Sequence, residues 1–172
     1  MPSPSNVAVI ANHEGLDSQA LLATATAQWQ ASGINVVGVV AENNNVPGEC
    51  SAGFVRDIAS GKPFSIHLDQ PPPGKTCHLD ASGVEDAGSG LLAQIPAADV
   101  VVFSKFGKLE AMQGGLWAAF MAAMAAGKPL LTTVSSKHLE AWKAFAPRTL
   151  WLEGEAAAID GWWRAQHGIE PR

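Results

Sequence analysis

The chain has 172 residues, of which 47% are hydrophobic and 16% charged, and its formal net charge is −5 at pH 7. These values predict one compact domain over residues 1–172. The acidic balance argues against a nucleic-acid binder, which needs a basic surface. No apolar run approaches the roughly 18 residues that a membrane-spanning helix requires. The two cysteines, and an N-terminus with no basic segment before its first apolar run, favour a reducing cytoplasm.

The chain begins with a predicted strand–helix–strand unit. Residues 7–11 form a short continuous apolar run, which is typical of a strand buried on both faces. Residues 17–32 show the apolar spacing of a helix, and residues 34–40 predict the next buried strand. A unit of this length is nearly always a right-handed parallel crossover.

Residues 43–80 interrupt this rhythm and predict an insertion. Segments 54–59 and 64–68 are short and are joined by the turn sequence Ser-Gly-Lys-Pro, which is typical of an antiparallel hairpin. Residues 69–79 include Pro-Pro-Pro-Gly and predict a long loop, a kind of segment that is often functional.

Strands and helices alternate again after residue 80. A capping box with the form Ser-x-x-Glu predicts the start of a helix at Ser82, and further elements are predicted at residues 99–103 (strand), 116–124 (helix), 130–134 (strand), 136–145 (helix), 149–152 (strand) and 156–166 (helix). This alternation predicts an α/β fold with three layers, in which helices cover both faces of a mostly parallel sheet.

Ligands of an open parallel sheet bind beyond the carboxyl ends of its strands, so the segments that follow strands are candidate sites. Residues 11–18 align with the phosphate-loop pattern G-x-x-x-x-G-K-[ST], and Ser18 matches its last position. Leu16 replaces a glycine and Asp17 replaces the lysine, and a carboxylate there repels phosphate. An ordinary Walker-type ATPase is therefore disfavoured, and a helix N-cap is the simpler interpretation. His13 would donate to an anion or lie at the surface.

The segment after the strand at 99–103 is richer in binding groups. It carries two lysines and three glycines, namely Lys105, Lys108, Gly107, Gly114 and Gly115. Main-chain N–H groups and ammonium groups predict a cradle for an oxyanion or a phosphate. Glu110 would hold a lysine in place or act on a water. A solvated loop, whose lysines serve solubility, is the alternative interpretation.

A third set of candidates lies in the insertion. Cys77, His78 and Asp80 combine thiolate, imidazole and carboxylate, which are all metal-ligand types. An adjacent cysteine and histidine match no zinc spacing, so coincidence is the simpler interpretation. Arg56, on the predicted hairpin, would pair with a neighbouring residue or reach the ligand edge.

Several of these segments resemble an uncharacterised bacterial family, domain of unknown function 2478. The matching strings are Asp-Val-Val-Val-Phe-Ser-Lys-Phe-Gly-Lys-Leu-Glu-Ala at 99–111, the glycine pair at 114–115, and segments 56–58, 77–80, 126–134 and 139–145. The family resembles a degenerate branch of P-loop nucleoside-triphosphatases, and its members tend to be encoded near molybdate-transport genes. The resemblance implies a P-loop-like fold that binds an oxyanion or a nucleotide.

The resemblance also implies a set of site residues. The family signature falls on Lys105, Gly107, Lys108, Glu110, Arg56, Asp57, Cys77 and Asp80. Ser104 stands where the family often has asparagine, and its hydroxyl can still donate to an anion.

Three functions remain open, in order of preference. The first is a non-hydrolysing protein that binds a molybdate-type oxyanion or a nucleotide phosphate and is linked to molybdenum metabolism, with Ser18 and His13 closing the site. The second is a nucleoside-triphosphatase in which Glu110 orients water and Asp17 or Asp99 lies near magnesium. The third is a metal-handling or redox role through Cys77, His78 and Asp80, with Cys50 as a further candidate. The expected cofactor is therefore molybdate or a nucleotide with magnesium. The expected partner is a small anion, without nucleic acid or membrane, and a homodimer would suit the apolar helix faces.

Overall fold

The computed structural model describes residues 6–11, 18–43, 52–65, 81–134 and 136–166. Within these ranges the strands are β1 (Val7–Ile10), β2 (Val36–Asn43), β3 (Ala52–Asp57), β4 (Pro63–Ser65), β5 (Val100–Val102), β6 (Leu130–Thr133) and β7 (Leu150–Leu152). The helices are α1 (Ser18–Ala31), α2 (Ala81–Gln94), α3 (Lys108–Ala111), α4 (Trp117–Ala125), α5 (Leu139–Phe145) and α6 (Ala156–Gln166).

The described strands form one sheet in the order β4-β3-β2-β5-β6-β1-β7. The pairs β2–β5, β5–β6, β6–β1 and β1–β7 are parallel. The hairpin of β3 and β4 adds to the free side of β2 in antiparallel orientation. The predicted α/β class and the inserted hairpin are both confirmed.

Helices cover both faces of the sheet, as predicted. Helices α2, α4 and α5 pack on one face, and α1 and α6 pack on the other. Neighbouring residues on a strand point to opposite faces. Val9 therefore belongs to the core on the side of α2, α4 and α5, and Ile10 belongs to the core on the side of α1 and α6. Because both faces are buried, β1, β5 and β6 consist almost entirely of apolar or β-branched residues.

Gly38 explains how β2 approaches β5 so closely. Its φ is +140°, a conformation that L side chains rarely adopt, and a Cβ placed on it would collide with the main-chain carbonyl of Val102. The parallel register pairs these same two residues. A glycine is therefore required at this point in the middle of the sheet.

The structure differs from the sequence-based expectations in several places. β3 runs over Ala52–Asp57 rather than 54–59, and α2 begins at Ala81, so that Ser82 is its second residue and not its N-cap. β2 extends to Asn43, because β3 supplies hydrogen-bond partners beyond the part that pairs with β5. The segment after β5 contains the short helix α3, where a loop was expected. The helix expected over 136–145 begins with a 3-10 turn at Ser136–His138 before α5. The predicted long loop at 69–79 lies outside the described residues, as do the side chains of the capping box.

Among the described residues, no helix combines the length and the apolar character that crossing a membrane demands.

Candidate functional site

The candidate site lies where the chain leaves β5, at the carboxyl edge of the parallel strands. After β5 the chain continues alongside β6, since the N–H of Phe106 donates to the carbonyl of Thr133 at 2.8 Å and Phe106 forms a parallel bridge with Val134. Phe106 is fully buried and contacts the ring of Trp142, with centroids 5.1 Å apart. This anchor fixes the position of the two residues before it, Ser104 and Lys105.

Ser104 is the point at which three chain segments meet. Its carbonyl accepts a hydrogen bond of 2.9 Å from the side-chain amide Nε2 of Gln19, in the first turn of α1. The same carbonyl accepts a second bond of 2.9 Å from Oγ1 of Thr133, at the end of β6. The start of α1, which follows β1, is thus tied to the ends of β5 and β6. This is the ligand-binding edge expected for such a sheet.

Lys105 lies exposed at this edge, directly after the buried Ser104. Its side chain crosses over Gly107: a Cβ placed on Gly107 would stand 3.2 Å from Cε of Lys105 and 4.0 Å from Nζ. The same point is 3.8 Å from Oε1 of Glu110. The missing side chain at Gly107 therefore leaves the space in which the lysine chain lies.

Glu110 holds the segment after β5 in shape. It is only 5% exposed, although it is ionisable. Its Oε1 accepts from the N–H of Gly107 at 2.9 Å, and its Oε2 accepts from the N–H of Leu116 at 3.0 Å. One carboxylate therefore joins the two ends of the α3 segment, and both of its oxygens are occupied by main-chain donors.

Two opposing influences act on the pKa of Glu110. Burial removes water from the carboxylate and raises the pKa, and this is the largest effect. The hydrogen bonds from Leu116 and Gly107 and the positive charge of Lys105 act in the opposite direction. The net result is a pKa above the ordinary value of 4.5.

The predicted glycines, Gly107, Gly114 and Gly115, shape the main chain of the segment between β5 and α4. The N–H of Gly107 is engaged by Glu110, so this glycine contributes space for Lys105 rather than a free donor. The carbonyl of Gly114 accepts from the N–H of Trp117 at the start of α4. Gly115 has a φ of +57°, and its carbonyl oxygen lies 3.3 Å from a Cβ placed on Gly88, so α2 packs directly on this turn.

The other predicted residues are distributed differently. Ser18 is the first residue of α1 and is partly exposed at the same edge. Lys108 begins α3, but its side chain lies outside the described part of the structure. Nη1 of Arg56 donates to the carbonyl of Gly61 at 2.7 Å, within its own hairpin. The residues outside the described ranges are His13, Asp17, Cys77, His78 and Asp80.

The expectation that Asp99 lies near a magnesium ion at this site is wrong. Asp99 precedes β5, and its Oδ2 accepts from the N–H of Asn35, which precedes β2. It is therefore at the amino edge of the sheet, and the full length of β5 separates it from Ser104. Within the described ranges, no three histidine, cysteine or acidic side chains are grouped so that they could hold a metal ion.

Sequence reasoning missed Gln19 and Thr133, the two side chains that hold Ser104. Each lies where the strand-end rule directs attention, Gln19 in the helix that follows β1 and Thr133 at the last position of β6. Neither residue type marks a chemical site by itself, so only their common acceptor reveals their role.

Comparison with known proteins gives one family and one distant relative. The family model with the description "Protein of unknown function (DUF2478)" matches residues 7–162. A protein of Bradyrhizobium diazoefficiens with the name "Molybdenum import ATP-binding protein ModC 2" is 33% identical over 166 residues. The alignment covers 94% of this chain and 18% of the relative, so the chain spans less than a fifth of that protein's length. No solved structure matches the chain.

Proposed function

The chain belongs to the family described as "Protein of unknown function (DUF2478)", and from that premise we propose that it binds a small anion at the carboxyl edge of its sheet. The ligand is an oxyanion of the molybdate type or the phosphate of a nucleotide, and the scaffold resembles a P-loop fold without the Walker lysine. The proposed activity is binding, linked to molybdenum metabolism.

The observation that carries this proposal is the exposed Lys105 at an edge that Ser104 ties to α1. The first turn of α1 carries no acidic residue, whereas Asp17 directly precedes α1 in the sequence, and a carboxylate at that position offsets the positive end of the helix dipole. Gln19, in the same turn, is bound to the carbonyl directly before Lys105. The exposed ammonium group of Lys105, which attracts anions, is thus carried by a segment that is tied to the start of α1.

The relative supports the chemical class of the ligand. Its name refers both to ATP binding and to molybdenum import, and phosphate groups and molybdate are both tetrahedral oxyanions. Since the alignment covers only 18% of that protein, the transfer of either function to this chain is part of the proposal.

The state of Glu110 favours binding over turnover. A carboxylate that orients water must have an oxygen accessible to that water. Glu110 is only 5% exposed, and each of its oxygens already accepts a main-chain hydrogen bond. A nucleoside-triphosphatase that uses this residue is therefore the less favoured alternative, and release of phosphate from ATP would support it.

Titration calorimetry with molybdate, tungstate, ATP and GTP tests the proposal. At least one of these anions is expected to bind the wild-type protein, and Lys105→Ala is expected to weaken that binding by about tenfold or more, since a hydrogen bond to a charged group contributes about 1.5–3 kcal/mol. Lys143→Ala is the matched control, because Lys143 is an exposed lysine on α5. The proposal fails if the folded wild-type protein binds none of the four anions, or if both variants behave alike.

A further inference from the structure

Strand β7 is the last strand of the sheet, and among the described residues its outer edge, away from β1, pairs with no other strand. The carbonyl of Leu152 accepts a hydrogen bond of 2.7 Å from the N–H of Ala11, on the β1 side. Because the main-chain groups of successive strand residues point to alternate sides, the N–H and the carbonyl of Trp151 point to the outer edge. The middle residue of β7 therefore presents one donor and one acceptor outward.

The side chains of β7 at this edge are apolar and exposed. Leu150 is 39% exposed and Trp151 is 41% exposed, and the two point to opposite faces of the sheet. Edge strands of natural proteins commonly carry a lysine or a proline, which prevents pairing with another chain. The described strand at the opposite edge, β4, begins with Pro63 and follows the exposed Lys62. β7 has the sequence Leu-Trp-Leu and contains neither residue type, so this edge is suited to pairing.

Exposed residues of opposite charge flank β7. Arg148 lies two residues before the strand, and Glu153 and Glu155 follow it. When two such strands pair in antiparallel orientation, the start of each lies beside the end of the other. If Trp151 is opposite the same residue of a second copy, Arg148 is opposite Gly154, between the two glutamates. Each end of the paired strands then joins opposite charges, whereas a parallel pair would place like charges together.

We propose that two copies of this chain associate through β7, as an antiparallel pair about a two-fold axis at Trp151. The N–H of each Trp151 donates to the carbonyl of the other, in a hydrogen-bonded pair with Cα atoms about 5.5 Å apart. This is the register in which all three residues of β7 pair with β7 of the second copy. A two-fold interface uses the same surface of both copies, and the two sheets become one continuous sheet.

The same register brings the exposed apolar side chains of the two copies together. Trp151 is beside Val9 in the sheet and lies on the face of α2, α4 and α5, so the two tryptophans meet on that face as a cross-strand aromatic pair. Leu150 lies on the other face and is opposite Leu152 of the second copy. Pairing therefore satisfies the outward main-chain groups of Trp151 and removes apolar area from water on both faces of the sheet.

The proposed pair keeps the two candidate anion sites apart. Because the strands of the second copy run in the opposite direction, its carboxyl edge lies on the opposite side of the joined sheet. Lys105 follows β5, which is separated from β7 by β6 and β1, so we expect each site to be formed by one copy. Association is therefore independent of the proposed anion binding, and a failure of either proposal leaves the other standing.

Sedimentation velocity of the full chain, at a series of protein concentrations, measures the association. We expect the wild-type protein to be dimeric at high concentration and to dissociate on dilution. Trp151→Pro removes the outward N–H without removing a hydrogen bond to β1, and it is expected to be monomeric at every concentration. Met121→Lys is the matched control, because Met121 is 50% exposed on α4, and this variant is expected to stay dimeric.

Charge exchange tests the antiparallel register. Arg148→Glu places like charges at both ends of the pair, so it is expected to raise the dimer dissociation constant by about tenfold or more. Glu153→Arg is expected to weaken association as well. An equimolar mixture of the two variants is expected to associate more tightly than either variant alone, since the two introduced charges are opposite in sign.

The possible results either support or overturn the proposal. A wild-type protein that stays monomeric at every concentration overturns it, and this is the result expected if another part of the same chain covers β7. Persistence of the dimer in folded Trp151→Pro, or its loss in Met121→Lys, places the interface elsewhere and also overturns it. An unchanged dissociation constant in Arg148→Glu overturns the antiparallel pair, and this variant decides the matter if Trp151→Pro does not fold.

Discussion

The side-chain amide of Gln19 donates a hydrogen bond of 2.9 Å to the main-chain carbonyl of Ser104, across the carboxyl edge of the sheet. Gln19 lies at the start of α1, and Ser104 lies just beyond β5, 85 residues later in the chain. The bond joins a helix N-terminus to the segment that carries Lys105. It is therefore one of the contacts that hold the segment of Lys105 beside the start of α1.

Replacing Gln19 is expected to affect binding more than stability. In Gln19→Ala the Ser104 carbonyl keeps its bond from Thr133, so the free energy of unfolding should fall by only about 1 kcal/mol. Anion affinity should fall several-fold, since α1 is no longer held against the β5 segment. Gln28→Ala, at an exposed position of the same helix, should leave affinity unchanged. Equal affinities for the two variants in calorimetric titration would contradict this role.

Gly107→Ala tests whether the space over this residue positions Lys105. The added Cβ would stand 3.2 Å from Cε of the lysine, so the lysine chain must move, while Gly107 itself has no left-handed φ that alanine would strain. Moving the side chain off its preferred rotamer costs about 1 kcal/mol, which is about fivefold in anion affinity. In a Lys105→Ala background the same change should have no effect on affinity. A full effect in that background would show that the glycine acts by another route.

The pH dependence of stability should report Glu110. Because its pKa in the folded protein lies above the ordinary 4.5, folding favours the protonated acid. Its contribution to the free energy of unfolding is therefore fully present below the unfolded-state value and is lost as the pH rises through the raised pKa.

Comparison with Glu110→Gln isolates this contribution. The free energy of unfolding of the wild type, minus that of the variant, should decline as the pH rises above 4.5. The slope should be at most about 1.4 kcal/mol per pH unit, because one proton is involved. Chemical denaturation at a series of pH values measures it, and a difference independent of pH would contradict the assignment.

Gly38→Ala should be among the most destabilising single changes in the sheet. The new Cβ collides with the main-chain carbonyl of Val102, and φ is +140°, so β2 must separate from β5. We expect a loss of about 3 kcal/mol or more in the free energy of unfolding. Gly90→Ala, in α2 with no atom near the new Cβ, should instead stabilise the protein by about 0.5–1 kcal/mol. Similar denaturation midpoints for the two variants would refute the close approach of β2 and β5.

The architecture could be predicted from the local spacing of apolar residues in the sequence. Short apolar runs alternate with helical periodicity, and a strand buried on both faces, such as β5, leaves a continuous apolar signature in the sequence. Turn residues likewise predicted the hairpin of β3 and β4. The length of β2 was not predicted, because its second half depends on pairing with β3.

The candidate site could be predicted only in part from the sequence. The strand-end rule identified the segment from Ser104 to Gly115, where the structure shows the tie to α1. The helix α3 inside it was missed, because four residues carry too little periodicity. The burial of Glu110 was missed as well, since residue type alone predicts an exposed glutamate.

The sequence by itself determined the layers and the mostly parallel sheet, and with them the sheet edge that the strand-end rule marks as a candidate site, because these follow from the spacing of apolar residues along the chain. The tertiary structure decided that Gln19 reaches Ser104, that Lys105 lies across Gly107, and that Glu110 closes the segment from within. Contacts of this kind depend on how strands from distant parts of the chain are brought side by side. The local sequence around each residue does not predict these contacts, since none of the residue types involved marks a contact with a distant part of the chain.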